Sequence, residues 1–98
     1  MSRVVVFLAE ARAEALETFH WYEEQRSGLG AVFRRELDDA IKRIWNAPLA
    51  YPPLYRDLRR VLVERFPYAV FYRILRDAIV VVGVIHGRRH PREWKRRA

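Results

Sequence analysis

The sequence contains no cysteine, only four glycines, a single methionine and no long hydrophobic run. Each shortage excludes something. Without cysteine there is no disulfide framework, no thiolate nucleophile and no cysteine-ligated metal, and a reducing compartment, the cytoplasm, is the natural expectation. The scarce glycines form no Gly-rich loop that would cradle phosphates. The first apolar run, Val4 to Ala9, is closed by Glu10. It is too short for a signal-peptide core and far too short to span a bilayer, so no membrane association is expected.

What is present is a globular composition with an uneven charge. The 98 residues are 51% hydrophobic and 13% aromatic, enough for one domain with its own core and too few for two. The net charge is +7. Residues 1–49 hold 7 Lys/Arg against 8 Asp/Glu, whereas residues 50–98 hold 12 against 4. The excess therefore lies wholly in the second half, where a focused basic field suits a polyanion or an acidic protein partner.

The periodicity predicts an α+β domain. Val4–Phe7 is β-branched and aromatic and predicts a strand. Leu8, Ala11, Ala15, Phe19 and Tyr22 then recur at helical steps, with Glu10, Glu14, Glu17, Glu23 and Glu24 on the solvent side. Ser27-Gly28 stops this helix. A second runs over Leu29–Asn46 on a stripe of Phe33, Leu37, Ala40, Ile41 and Ile44. The short connection predicts an antiparallel helical hairpin. After a Pro-rich loop, strands are predicted over Arg59–Arg65, Tyr68–Leu75 and Ala78–Ile85, the last buried on both faces. The order is β-α-α-β-β-β, a helical hairpin on one face of a twisted, mainly antiparallel sheet, followed by the basic tail His86–Ala98.

Catalytic options are few. Glu36, Asp38 and Asp39 read as a solvated helix face, and His20 as exposed. His86 and His90 stand four apart, but Gly87 and Pro91 argue against the helix that would make them a metal pair. Neither metal nor cofactor is expected. Arginine dominates instead, suited to bidentate contacts with carboxylate or phosphate and to stacking. Tyr55, Tyr68, Tyr72 and Trp94 are interleaved with it, and could stack on bases or fill the core. An extended acidic peptide added to a sheet edge fits the same residues, so RNA, DNA and peptide are not separated at this level.

The ordered set Trp21-Tyr22-Glu23, Gly28-Leu29-Gly30, Phe33, Pro48, Tyr51-Pro52, Arg59-Arg60-Val61-Leu62-Val63, Phe66-Pro67-Tyr68, Tyr72, Val84-Ile85-His86-Gly87-Arg88-Arg89, Pro91 and Trp94 resembles the RelE/ParE superfamily of bacterial type II toxins, in the group described as plasmid stabilisation proteins. The resemblance covers nearly the whole chain. It implies a toxin neutralised by a cognate antitoxin, with operator DNA bound only through the antitoxin. RelE-like members cut mRNA on the ribosome; ParE-like members poison DNA gyrase without nuclease activity.

The resemblance also implies where a nuclease would carry its groups. Arg60 and Arg89 match two basic positions. Leu62 stands where a second basic residue is usual, Ala69 where an arginine follows the strand-opening tyrosine, and Trp94 near an expected tyrosine. An indole N–H only donates, so Trp94 cannot serve as general acid or base. The leading expectation is a ParE-like gyrase inhibitor binding target and antitoxin through Arg59, Arg60, Arg65, Arg73, Arg88, Arg89, Arg92 and Trp94. The alternatives are an mRNA endonuclease acting on the ribosome through Arg60, Arg89 and His86, and an inactive member that only binds its antitoxin.

Overall fold

The computed structural model describes residues 3–98. In chain order the elements are β1 (Val4–Phe7), α1 (Ala9–Gln25), α2 (Leu29–Asn46), a 3₁₀ turn (Pro48–Ala50), β2 (Arg59–Leu62), β3 (Tyr68–Ile74), β4 (Ala78–His86) and the four-residue α3 (Arg92–Lys95). This is the expected β-α-α-β-β-β order with one short helix added in the tail. The four strands form one sheet in the order β1-β4-β3-β2. β2–β3 and β3–β4 are antiparallel, and β1 joins β4 in parallel, giving a mixed sheet.

The α2 stripe is as expected: Phe33, Leu37, Ala40 and Ile44 are buried together with Val61, Val70, Tyr72, Ile79, Val81 and Val84 from the sheet. The α1 stripe differs. Leu8 precedes the helix and is exposed, and Thr18 is buried instead, its hydroxyl donating to the Glu14 carbonyl at 2.8 Å. Glu14 and Glu23, expected to face solvent, are half-buried. Glu23 accepts hydrogen bonds from the Gly28 and Gly30 amides, both at 2.9 Å, and so satisfies the first free donors of α2. Gly28 has φ 91°, a left-handed value natural to glycine at this interhelical corner. Gly30 is needed for space: a Cβ there would lie 2.6 Å from the Phe19 carbonyl oxygen.

Strand limits shift for physical reasons. β2 ends at Leu62, three residues before the expected Arg65, because Arg65 turns the chain at φ 70°. Val61 and Val63 are nevertheless buried while Arg60, Leu62 and Glu64 are exposed, as the alternation requires. In β4, Phe71 pairs with Gly83 but Tyr72 with Val81, so Val82 is an extra residue, a β-bulge. The bulge reverses which residues face the helices: Ile79 and Val81 before it, Val84 after it. Val82 and Ile85 instead join Leu58, Ala69 and Phe71 in a second apolar cluster on the outer sheet face.

Candidate functional site

The basic residues singled out from the sequence do not converge on one point. Arg59, at the start of β2, is half-buried and donates to the Tyr51 carbonyl. Arg65 reaches Glu36 at 3.4 Å. Arg60 lies opposite Phe71 and is exposed on the outer face. Arg73 shares that face, 3.5 Å from Asp57 and 3.3 Å from the Arg97 carbonyl. Arg88 and Arg89 occupy the turn after β4, where Arg89 pairs with Glu93 at 2.9 Å, and Arg92 opens α3. Arg88, Arg89 and Arg92 form an exposed basic rim continued by Lys95 and Arg96.

Trp94 is packed rather than free. Its ring stacks on Phe71 at 5.1 Å between centroids and meets Tyr55 edge-on at 6.3 Å. The Lys95 ammonium lies over both Tyr55 and Trp94, at 5.2 and 5.8 Å, and Arg56 lies 5.3 Å from the Tyr55 ring centroid. Helix α3 thus closes the outer face as an aromatic layer with cations on it.

Of the residues a nuclease would need, His86 and Arg89 line one cleft, but Arg60 is kept apart from them. His86 pairs with Tyr68 and stacks edge-on against it at 5.0 Å, on the helix side of the sheet. Arg60 points to the outer side, two strands across and three residues along, roughly 14 Å away by strand geometry. Between them, Leu62 pairs with Ala69, so the centre of the outer face is apolar. The His86 ring accepts the Arg88 amide at its Nδ1, 2.9 Å away, which ties it into the turn. Tyr72 is fully buried, its hydroxyl donating to the Pro48 carbonyl at 2.7 Å. Burial pushes its pKa up to about 12, so it stays a neutral structural donor.

Among the described residues, concavities adjoin both sides of α1. A polar cleft of about 260 Å³ lies between α1 and the far end of β4, lined by Glu14, Glu17, Thr18, Trp21, Tyr68, His86 and Arg89 among others. A larger groove of about 410 Å³ between the two long helices is lined by Phe7, Ala15, Leu16, Phe19, Phe33 and Leu37, with Arg12, Arg34 and Asp38 at its polar positions. Leu16 and Trp21 are more than half exposed beside them. Among the described residues no group of His, Asp and Glu is placed to hold a metal, and no helix is long and apolar enough to cross a membrane.

One cluster escaped the sequence reading. The Arg97 guanidinium binds Glu14 through both nitrogens, at 2.9 and 2.8 Å, and its side chain is only 6% exposed. Glu10 joins at 2.9 Å and also takes Arg96 at 2.7 Å. The Arg96 hydrogen bond, with the charges of Arg97 and Arg96, holds the Glu10 carboxyl below its ordinary value against the opposing effect of burial. The Glu14 hydrogen bond, with the charges of Glu14, Glu10 and Glu93, raises Arg97 against the opposing effect of burial. The only sequence signal was an arginine-rich tail facing an acidic first helix.

The comparisons agree with this architecture. Residues 5–91 match the family described as "ParE toxin of type II toxin-antitoxin system, parDE". The chain is 30% identical over 79 residues to Toxin ParE2 of two Mycobacterium tuberculosis strains, CDC 1551 / Oshkosh and H37Rv, covering 80% of this chain and 75% of each relative. A solved structure titled "Chromosomal ParDE TA system from P. aeruginosa" superposes with a TM-score of 0.77 at 12% identity, over 87% of this chain and 96% of that one. The fold and the sequence together define a small toxin of the RelE/ParE superfamily. Within it, the chain belongs to the ParE toxins of type II toxin–antitoxin systems.

Proposed function

We propose that this ParE-family toxin acts in the cytoplasm by binding and inhibiting DNA gyrase, not by cutting RNA, and that a cognate antitoxin neutralises it. The observation that carries the reading is the outer sheet face. Cleavage of RNA needs a group that takes the 2′-hydroxyl proton, one that protonates the leaving oxygen and donors that stabilise the phosphorane. On this face the Leu62–Ala69 pair and the Trp94–Phe71 stack occupy the centre, and His86, the histidine expected to serve a nuclease, faces the opposite side. Arg60 and Arg73 supply charge, and the carboxylate beside Arg73, Asp57, is taken up in an ion pair with it at 3.5 Å. A basic rim around an apolar, aromatic surface favours protein recognition.

The antitoxin reading rests on the family, the basic rim and the apolar groove between α1 and α2. An acidic, amphipathic segment would satisfy both surfaces, and operator DNA would be reached through the antitoxin. The test uses purified protein in two parallel assays, gyrase supercoiling and mRNA cleavage in a translating extract. Loss of supercoiling with intact message supports the proposal. Intact supercoiling with cut message supports an endonuclease, and no effect in either supports a member that only binds its antitoxin.

A further inference from the structure

β1 is too short to cover its neighbour. It pairs with β4 only from Ala78 to Val81, and the Leu8 amide closes the ladder on the Val81 carbonyl at 3.0 Å. Beyond that point, Val82 to His86 has a strand on one side only, and backbone groups that point outward require other partners. They find a salt bridge. Arg97 Nη1 donates to the Val82 carbonyl at 3.1 Å, and the Val84 amide donates to Glu14 Oε1 at 3.0 Å. The guanidinium stands where a strand would offer N–H, and the carboxylate where it would offer C=O.

The fit continues around the pair. Gly83, between the two bonded residues, leaves room for the guanidinium: a Cβ there would lie 2.6 Å from Arg97 Nη1. Arg73 donates to the Arg97 carbonyl from the outer face. Glu10 and Arg96 add a second, more exposed rung. The segment so fastened carries Trp94 over Phe71. Residues 92–98 also lie outside the span that matches the family, so their role does not come with it.

We propose that residues 92–98 form a latched strap, and that the Arg97–Glu14 pair is its catch. In the closed state the pair completes the open edge of β4 and seats Trp94 on the outer apolar cluster. Releasing the catch frees both the edge and the cluster while the core beneath, held by α1, α2 and the strands, stays folded. The strap is therefore a unit that opens separately from the rest of the molecule, and its state sets which surface a partner meets.

The test is residue-resolved amide hydrogen exchange on the full chain, comparing the parent with Arg97→Ala, Arg97→Lys and Glu14→Gln. Removing hydrogen bonds to charged groups is expected to speed exchange of residues 94–98, and of Val84 in Arg97→Ala, by on the order of tenfold or more. Arg97→Lys keeps the charge but not the fork, and should fall between parent and alanine variant. Amides of β3 and α2 should be unchanged. Exchange in 94–98 within about twofold of the parent in Arg97→Ala would overturn the catch, since that is less than the loss of one net hydrogen bond. Core amides speeding up together with the tail, or a Glu14→Gln or Arg97→Ala chain that fails to fold, would overturn the separate strap, because the segment would then belong to the cooperative core.

Discussion

At the scale of single residues, position on the pleat decides what each side chain can do. Arg60 and His86 look close in function on paper, yet alternation sends one to each side of the sheet. Trp94 looked like a lone aromatic in a charged tail, but it is the cover of Phe71. No periodic signal announces such a contact, because its partners are distant in sequence. Gly30, by contrast, was readable only as a helix opening; its reason is the neighbouring Phe19 carbonyl. Replacing Gly30 with alanine should push α1 and α2 apart and lower stability by about 1–3 kcal/mol in denaturant unfolding. A change near zero would mean the helices have slack that this packing does not show.

At the scale of elements, the two long helices and the hairpin of β3 and β4 were legible. Phe33, Leu37, Ala40 and Ile44 follow a clean helical period, and Arg76-Asp77 makes the expected turn, closed by the Leu75 amide on the Ala78 carbonyl at 2.7 Å. The bulge at Val82 was hidden because β4 is apolar on both faces, so a reversal of facing leaves no trace in the pattern. The α1 face differs from its periodicity for a related reason: Glu14 has the spacing of a solvent-facing residue, but the open edge of β4 turns it inward.

Helix α3 also carries a pH dependence. The folded pKa of Glu10 lies below its unfolded value, chiefly through Arg96. Its contribution is therefore present above the unfolded pKa and lost as pH falls through the folded one. The groups around it are Glu14 on α1 and Glu93, Arg96 and Arg97 on the strap. Acidification below the ordinary glutamate range should loosen residues 92–98, read as faster segmental motion by NMR relaxation. The effect should be modest because Glu10 is nearly half exposed. Tail motion that is constant with pH until global unfolding would contradict this role for the outer rung.

At the scale of the whole molecule, the charge asymmetry of the sequence becomes a directional surface. Arg88, Arg89 and Arg92 rim one end of the sheet, past the last core strand, and contribute little to packing. The double change of Arg88 and Arg89 to alanine removes two exposed charges and the Arg89–Glu93 pair, so stability should move by no more than about 0.5 kcal/mol. Growth inhibition in cells should nevertheless fall. Full toxicity of a normally folded variant would place the working surface elsewhere, with the groove between α1 and α2 as the next candidate.

The central claim is that this ParE-family chain binds its target rather than cutting RNA. The most direct measurement is ATP-dependent supercoiling by purified gyrase titrated with the toxin, alongside the toxin mixed beforehand with its antitoxin. The account predicts dose-dependent loss of supercoiling that the antitoxin restores. Undiminished supercoiling at saturating toxin, with message cleaved on ribosomes, would contradict it.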